Sequence, residues 1–391
     1  MALPTRPLGR TGFSVSPLGF GCMRLPVVNG AASDIDVPQA AAMLAAAVDA
    51  GVNYVDTAYP YHGRDRVNPG ASEAFVGDAL RGGRREKVIL ATKLPLWLVE
   101  SRADMDRILD GQLARLRTPW LDVYLAHNVN SANWPRVRDL GLLDFFDAAL
   151  KDGRIRRAGF SFHDRYGLFA EVLDSYDWHI AQIQYNYLDT GYQAGERGLR
   201  LAAAKGLGVV VMEPLRGGFL VDHLPEALAA LLRGTRPEWS LVDWGLRWLW
   251  RQPEVGIALS GMSAMAHVEE NLRIAGAAAD AAGEFGEREL EAVAAVRRYF
   301  QERLQTPCTA CGYCLPCPHG VAIPKALAHW NDFHMVDRPE LHARARFLYK
   351  LQVGEDERAS RCAACRACEA ACPQHIPIAD CLPRVAAALE V

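Results

Sequence analysis

A chain of 391 residues is longer than one hydrophobic core usually grows, so a large domain with a smaller companion is expected. Half of the residues are hydrophobic, 23% are charged and the formal net charge is −3, which gives nucleic acid and anionic membranes no electrostatic hold. The first residues lack a signal-peptide core and no run approaches about 18 consecutive apolar residues, so a cytoplasmic protein with no membrane partner is expected.

In chain order, Leu8 to Ser16 reads as a hairpin with Thr11-Gly12 at its turn. From about residue 37 to 275, helical and strand patterns alternate. Ala40 to Ala50 is Ala-rich and helical, and Ser72 opens the next helical stretch as a candidate N-cap. Predicted strands begin at Val52, Val88, Leu121, Ile155, His179, Gly208 and Gly256. They are short apolar runs without alternation, as a parallel sheet covered on both faces requires. Repeated βα units give an α/β fold, either a closed barrel or an open doubly wound sheet. No G-x-G-x-x-G follows the first strand, which favours the barrel. A helix is predicted from Glu284 to Leu304, with Leu290, Val293, Val296, Phe300 and Leu304 on one stripe.

In a β/α barrel, chemistry sits where strands end and in the loops that follow. Four ionisable side chains fall there: Asp56 ending one strand, Tyr61 in its loop, Lys93 ending the next and His127 the one after. A carbonyl that receives hydride needs a proton donor at its oxygen, and an ammonium beside a tyrosine favours the phenolate. Lys93 is therefore expected to lower the Tyr61 pKa, Asp56 to hold Lys93, and His127 to bind the substrate oxygen. Trp97 and Trp134 follow the same strands and could wall an apolar pocket or simply pack.

The segments Asp56-Thr57-Ala58-Tyr59-Pro60-Tyr61-His62-Gly63, Ala91-Thr92-Lys93-Leu94-Pro95 and Tyr124-Leu125-Ala126-His127 resemble the aldo-keto reductase superfamily. So do Leu18 to Arg24, which includes Gly21, Cys22 and Met23, and Glu269-Glu270-Asn271-Leu272. The resemblance covers roughly residues 7 to 275. It implies an eight-stranded (β/α)8 TIM barrel with a hairpin closing its bottom, and reduction of a small-molecule carbonyl (or oxidation of an alcohol) with NADP or NAD. It further implies that Gly21, Cys22, Met23, Glu270 and Asn271 contact the cofactor, that Ser161 and Gln182 hold the nicotinamide carboxamide, and that Met212 replaces a ring-stacking tyrosine. Pro214, Leu215, Gly217 and Gly218 match the segment facing the pyrophosphate. Gly261, Met262 and His267 stand where lysine, serine and arginine often read the 2′-phosphate of NADP, so a strong NADP preference is not expected.

Eight of the ten cysteines form two runs near the C-terminus: Cys308, Cys311, Cys314 and Cys317 before Pro318, and Cys362, Cys365, Cys368 and Cys372 before Pro373. A disulfide framework would spread its cysteines to close loops. Two zinc sites would leave the third Cys of each run and the Pro without a role. Three thiolates at three-residue intervals wrap one 4Fe-4S cubane, and the fourth Cys, before Pro, ligates the other. That pattern puts Cys308, Cys311, Cys314 and Cys372 on one cluster, and Cys362, Cys365, Cys368 and Cys317 on the second. The first run departs from it, with two residues rather than three before Cys317. Leu327, Trp330 and His334 between the runs have helical spacing, so a small, mainly helical ferredoxin-like domain is expected. Barrel and tail together resemble the ferredoxin-containing branch of the aldo-keto reductases. The expected division is residues 1–283 as the barrel, 284–303 as a connecting helix and 304–391 as the cysteine domain. Two other readings stay open: an electron-transfer module with a separate protein partner, and a redox sensor whose barrel is mainly a scaffold.

Overall fold

The computed structural model describes residues 3–222, 224–278, 281–335 and 339–391. Strands β1 (Arg6–Pro7) and β2 (Ser14–Val15) pair antiparallel. The remaining strands are β3 (Leu18–Gly21), β4 (Tyr54–Asp56), β5 (Ile89–Pro95), β6 (Val123–Val129), β7 (Ala158–Phe162), β8 (Ile180–Gln184), β9 (Gly208–Met212) and β10 (Ile257–Gly261). They pair in parallel and close into a barrel in the order β10-β3-β4-β5-β6-β7-β8-β9. Helices such as Val37–Asp49, Arg102–Leu116 and Met265–Gly276 run between them, which is the (β/α)8 arrangement.

The hairpin closes the barrel bottom through Leu8, which is fully buried with Val15, Tyr54, Val123, Leu125, Ile180, Val210 and Ile257. Two glycines make room for it. A Cβ on Gly208 or Gly256 would lie 2.5 Å from a Leu8 side-chain carbon, closer than real Cβ contacts come. The barrel strand β3 is not among the strands predicted from sequence. Its Gly19 and Gly21 lower strand propensity, yet a Cβ on Gly19 would lie 2.8 Å from Ile257. Close approach to β10 therefore explains the glycine there.

The chain divides into two compact units, Met1–Leu215 with Val242–Phe285, and Arg216–Leu241 with Gly286–Val391. By packing, residues 216–241 group with the second unit. Within that unit the Phe219 and Phe300 rings are tilted together with centres 5.3 Å apart, and Arg236 donates to Glu289 at 2.8 Å. The helix Glu287–Arg303 buries Val293, Val296 and Phe300 as its stripe predicts, while Leu290 is exposed.

The cysteine segment is helical, with helices Ile323–His334, Pro339–Gln352, Ala367–Ala371 and Ile378–Leu389. Its core gathers Leu327, Trp330, Tyr349, Val353, Leu382 and Val385, and Cys308, Cys314, Cys317, Cys362 and Cys368 pack against it. Among the described residues, no helix is long and apolar enough to cross a membrane.

Candidate functional site

The register of the parallel strands brings the four barrel residues to one end. Asp56 ends β4, Lys93 lies late in β5 and His127 late in β6, with Pro95 of β5 opposite His127. The Lys93 ammonium is fully buried. It donates to the Asp56 carboxylate at 2.5 Å, to the Thr57 carbonyl at 2.9 Å and to the Tyr61 hydroxyl at 3.2 Å. The Tyr61 and His127 rings meet edge to face at 6.2 Å. All four predicted residues therefore form one buried constellation.

A polar network fixes β5 where it carries Lys93. Gln112, on the helix Arg102–Leu116, donates to the Lys93 carbonyl at 3.0 Å and to the buried Glu73 carboxylate at 2.5 Å, and accepts from Tyr124 at 2.6 Å. Glu73 also takes Thr92 at 2.7 Å and Arg115 at 2.8 Å, which answers its buried charge. Ser72 is not the N-cap expected of it. Its hydroxyl instead meets Thr57 at 2.8 Å and the Cys22 carbonyl at 3.3 Å, tying the Tyr61 loop to the end of β3. His62 accepts from the Leu25 N–H at 3.2 Å through Nε2, and its Nδ1 lies 2.7 Å from the Ala32 carbonyl. These second contacts depend on spatial neighbours that no sequence spacing reveals.

Electrostatics at the site depart from the sequence-based expectation. Burial, then the Asp56 carboxylate, push the Tyr61 phenol well above its ordinary value. Lys93 does not lower it as expected, because Asp56 meets the same ammonium and desolvation disfavours a phenolate. Burial also raises the Asp56 carboxyl, with Lys93 opposing. Burial, then Lys93, His163 and Arg66, hold His127 well below the usual histidine range. The site thus holds a protonated phenol and a neutral imidazole near pH 7.

On the cofactor side, Ser161 on β7 and Gln182 on β8 are register partners. Among the described residues, both polar atoms of the Gln182 amide are buried without a hydrogen-bond partner. Ser161 reaches the sulfur of Met212 at 3.8 Å. Cys22 is buried, and its thiol is raised by burial and by Asp56. Gly21 and Gly261 are register partners on β3 and β10. Asn271 donates to Ser260 at 3.1 Å, and its buried Oδ1 has no partner among the described residues. His267 is exposed and near Ser263, Met262 is buried, and Glu270 is half-buried on the same helix as Asn271. Pro214 and Leu215 follow β9, with Leu215 packed over Gly245, while Gly217 and Gly218 fall in the second unit. Arg24 was missed by the sequence reading. Its stem lies where a Cβ on Gly261 would be, at 3.3 Å, and its guanidinium pairs with Glu213 at 3.5 Å.

Trp97 stands against His127 with rings 5.2 Å apart, so it belongs to the barrel mouth. Trp134 does not. It is fully buried, with its N–H on Glu171 at 3.0 Å.

The eight clustered cysteines line two cavities. Cys308, Cys311, Cys314 and Cys372 face one, and Cys317, Cys362, Cys365 and Cys368 face the other. Among the described residues no three ligating groups close on a single ion. The two loops share a backbone path. Ala310 and Ala364 both have φ of 54°, and their N–H groups donate to the sulfurs of Cys308 at 3.5 Å and Cys362 at 3.4 Å. Gly312 and Arg366, two residues further on, are also left-handed. Burial and the neighbouring thiols of Cys311, Cys308 and Cys372 raise Cys314. Cys368 is pushed up to about 11 by burial, Glu369 and the thiols of Cys362 and Cys317.

Comparison with known proteins divides the chain between residues 281 and 307. A model of the aldo/keto reductase family matches residues 17–281, and a model of the 4Fe-4S dicluster domain matches residues 307–376. The uncharacterized oxidoreductase YqkF of Bacillus subtilis is 25% identical over 301 residues, covering 70% of this chain and 91% of its own. The 6-dehydroglucose reductase of Novosphingobium aromaticivorans is 29% identical over 229 residues, 56% of this chain and 70% of its own. A solved aldo-keto reductase from Bacillus halodurans, in its holo form, aligns with a TM-score of 0.60 at 26% identity, covering 75% of this chain and 96% of its own.

Proposed function

The chain belongs to the aldo/keto reductase family and carries a 4Fe-4S dicluster domain, and from that premise we propose an NAD(P)H-dependent carbonyl reductase with Tyr61 as proton donor. The observation that carries the proposal is the buried Lys93 ammonium held between the Asp56 carboxylate and the Tyr61 hydroxyl.

The barrel residues fit a nicotinamide cofactor. The partnerless Gln182 amide, beside Ser161, matches a carboxamide, and the partnerless Asn271 oxygen suits the amino group of an adenine. When bound, NAD(P)H supplies a hydride. Tyr61, kept protonated by burial, gives its proton to the oxygen on which charge develops, and Lys93 stabilises the phenolate left behind. Asp56 orients Lys93. His127, kept neutral, has an N–H to offer the same oxygen. Either NADP or NAD serves: Gly261, Met262 and His267 bring no lysine or arginine to a 2′-phosphate, and the Arg24 guanidinium is directed to Glu213.

The eight cysteines would hold two 4Fe-4S clusters, Cys308, Cys311, Cys314 and Cys372 one, and Cys317, Cys362, Cys365 and Cys368 the other. Each foursome surrounds a separate cavity, and thiols that raise one another are relieved by a cationic iron centre.

Tyr61→Phe tests the barrel reading. Reduction of a responsive aldehyde should fall by at least about a hundredfold, with NADPH binding by fluorescence titration retained. Turnover at the wild-type level would remove Tyr61 from the role of acid.

A further inference from the structure

We propose that His62 is a positioning residue for Tyr61: its side chain latches the loop of residues 25–36 to the segment that carries the phenol. The proposal rests on proton donation by Tyr61.

The backbone first sets residue 62 apart. Its φ is 59°, in the left-handed region that glycine enters freely and a bulky side chain enters at a cost. Glycine would serve the turn without strain, so the imidazole must be held there by what it touches. The residue is only 8% exposed, and both ring nitrogens bond to one loop far away in the chain. Nε2 accepts from the Leu25 N–H at 3.2 Å, and Nδ1 lies 2.7 Å from the Ala32 carbonyl. A carbonyl can only accept, so Nδ1 carries the proton and Nε2 does not. Burial agrees with this neutral form: it holds the ring below the usual histidine range, against the pull of the Ala32 and Cys22 carbonyls.

The two bonds grip a loop that is already closed on itself. Val27 and Ile35 bridge antiparallel, the Val28 N–H donates to the Asp34 carbonyl at 2.8 Å, and the Asp36 N–H donates to the Pro26 carbonyl at 2.8 Å. Leu25 stands at its start and Ala32 within its bend, so one ring holds both. The loop follows β3, whose Gly21 is the register partner of Asp56, and it therefore leaves the barrel at the catalytic end. From the other side, the Tyr61 carbonyl accepts from the Ser72 N–H at 3.2 Å and the His62 carbonyl from the Ala71 N–H at 3.1 Å. Ser72 ties Cys22, which precedes the loop, and His62 ties the loop itself. Placement matters here, because misplacing a reacting group by about 1 Å can cost on the order of a hundredfold in rate.

The test uses the full chain with NADPH and benzaldehyde. His62→Gly suits the left-handed backbone and removes both bonds. Its kcat per folded chain should fall by about tenfold or more, with KM and NADPH affinity within about threefold of wild type, because the acid is displaced and the binding surfaces are not. His62→Asn tolerates a positive φ and can keep a donor for Ala32, so it should recover part of the loss. An unchanged kcat in His62→Gly, or no recovery in His62→Asn, overturns the proposal. A merely structural His62 would lower the melting temperature and leave kcat per folded chain alone. Amide exchange followed by mass spectrometry reads the latch without turnover. Residues 25–36 should exchange at least about threefold faster in His62→Gly than in wild type, and equal exchange overturns the latch. If wild type reduces no aldehyde, the reductase reading fails separately and the exchange measurement still decides whether His62 holds the loop.

Discussion

At Tyr61, burial and the Asp56 carboxylate act against ionisation, while the Lys93 ammonium, 3.2 Å from the hydroxyl, would stabilise the phenolate of the proposed reaction. This balance has a pH signature. A phenol raised above about 10 and an imidazole lowered below about 6.5 leave both groups in one protonation state between those values. Reduction by kcat/KM should be level from about pH 6.5 to 9.5 and fall only on the alkaline side. A limb near neutrality that vanishes in Tyr61→Phe would show that the phenol titrates far lower than its burial implies. The sign for stability follows from His127, whose folded pKa is depressed. The unfolded chain binds the extra proton first, so this contribution is intact above about pH 6.5 and is lost as pH falls below it. At this scale Asp56, Tyr61, Lys93 and His127 were legible because strand ends point to one face of the barrel. Arg24, Gln112 and Glu73 were not, because their roles come from partners 12 to 189 residues away.

Between elements, the barrel depends on small residues as much as on large ones. Leu8 from the β1–β2 hairpin fits where Gly208 and Gly256 lack side chains. Leu8→Ala should lower barrel stability by about 2–5 kcal/mol through the lost burial and the cavity left behind. Gly208→Ala should cost about 1–3 kcal/mol by overpacking, and the double variant should cost less than the sum of the two. Thermal unfolding of the three variants measures this, and strict additivity would mean that Leu8 and Gly208 do not compete for one space. The same reasoning explains an element that the sequence concealed. Strand β3 carries two glycines in four residues, which reads as weak strand, yet its closeness to β10 is what closes the barrel. The helix Glu287–Arg303 was visible from its stripe, because a 3.6-residue period survives without knowledge of the partner.

For the whole molecule, the sequence shows two domains in series but not where their packing divides. The segment 216–241 follows a barrel strand and reads as barrel, while its packing of Phe219 on Phe300 and Arg236 on Glu289 joins it to the second unit. Cysteine spacing was more informative, since the crossed ligand sets reappear as the linings of two cavities, Cys317 included. What spacing does not reveal is whether the clusters serve the barrel chemistry, and electron counting addresses that. A nicotinamide delivers two electrons together as hydride, a 4Fe-4S cluster passes one at a time, and dividing the pair usually calls for a flavin or similar carrier. The proposed proton donation from Tyr61 requires no iron, so carbonyl reduction should proceed without the clusters, which would then hold their own domain together or exchange electrons with a separate protein. Cys365 is the exposed member of its set, which suits a variant that spares the packed core. Wild type purified anaerobically should carry about eight irons per chain and be brown, and Cys365→Ser should lose iron from one site. Stoichiometric zinc and no visible absorbance in wild type would rule the clusters out. Turnover of an aldehyde per folded barrel should be the same in Cys365→Ser as in wild type, whereas turnover lost with NADPH binding retained would put a cluster on the catalytic path and reverse the assignment.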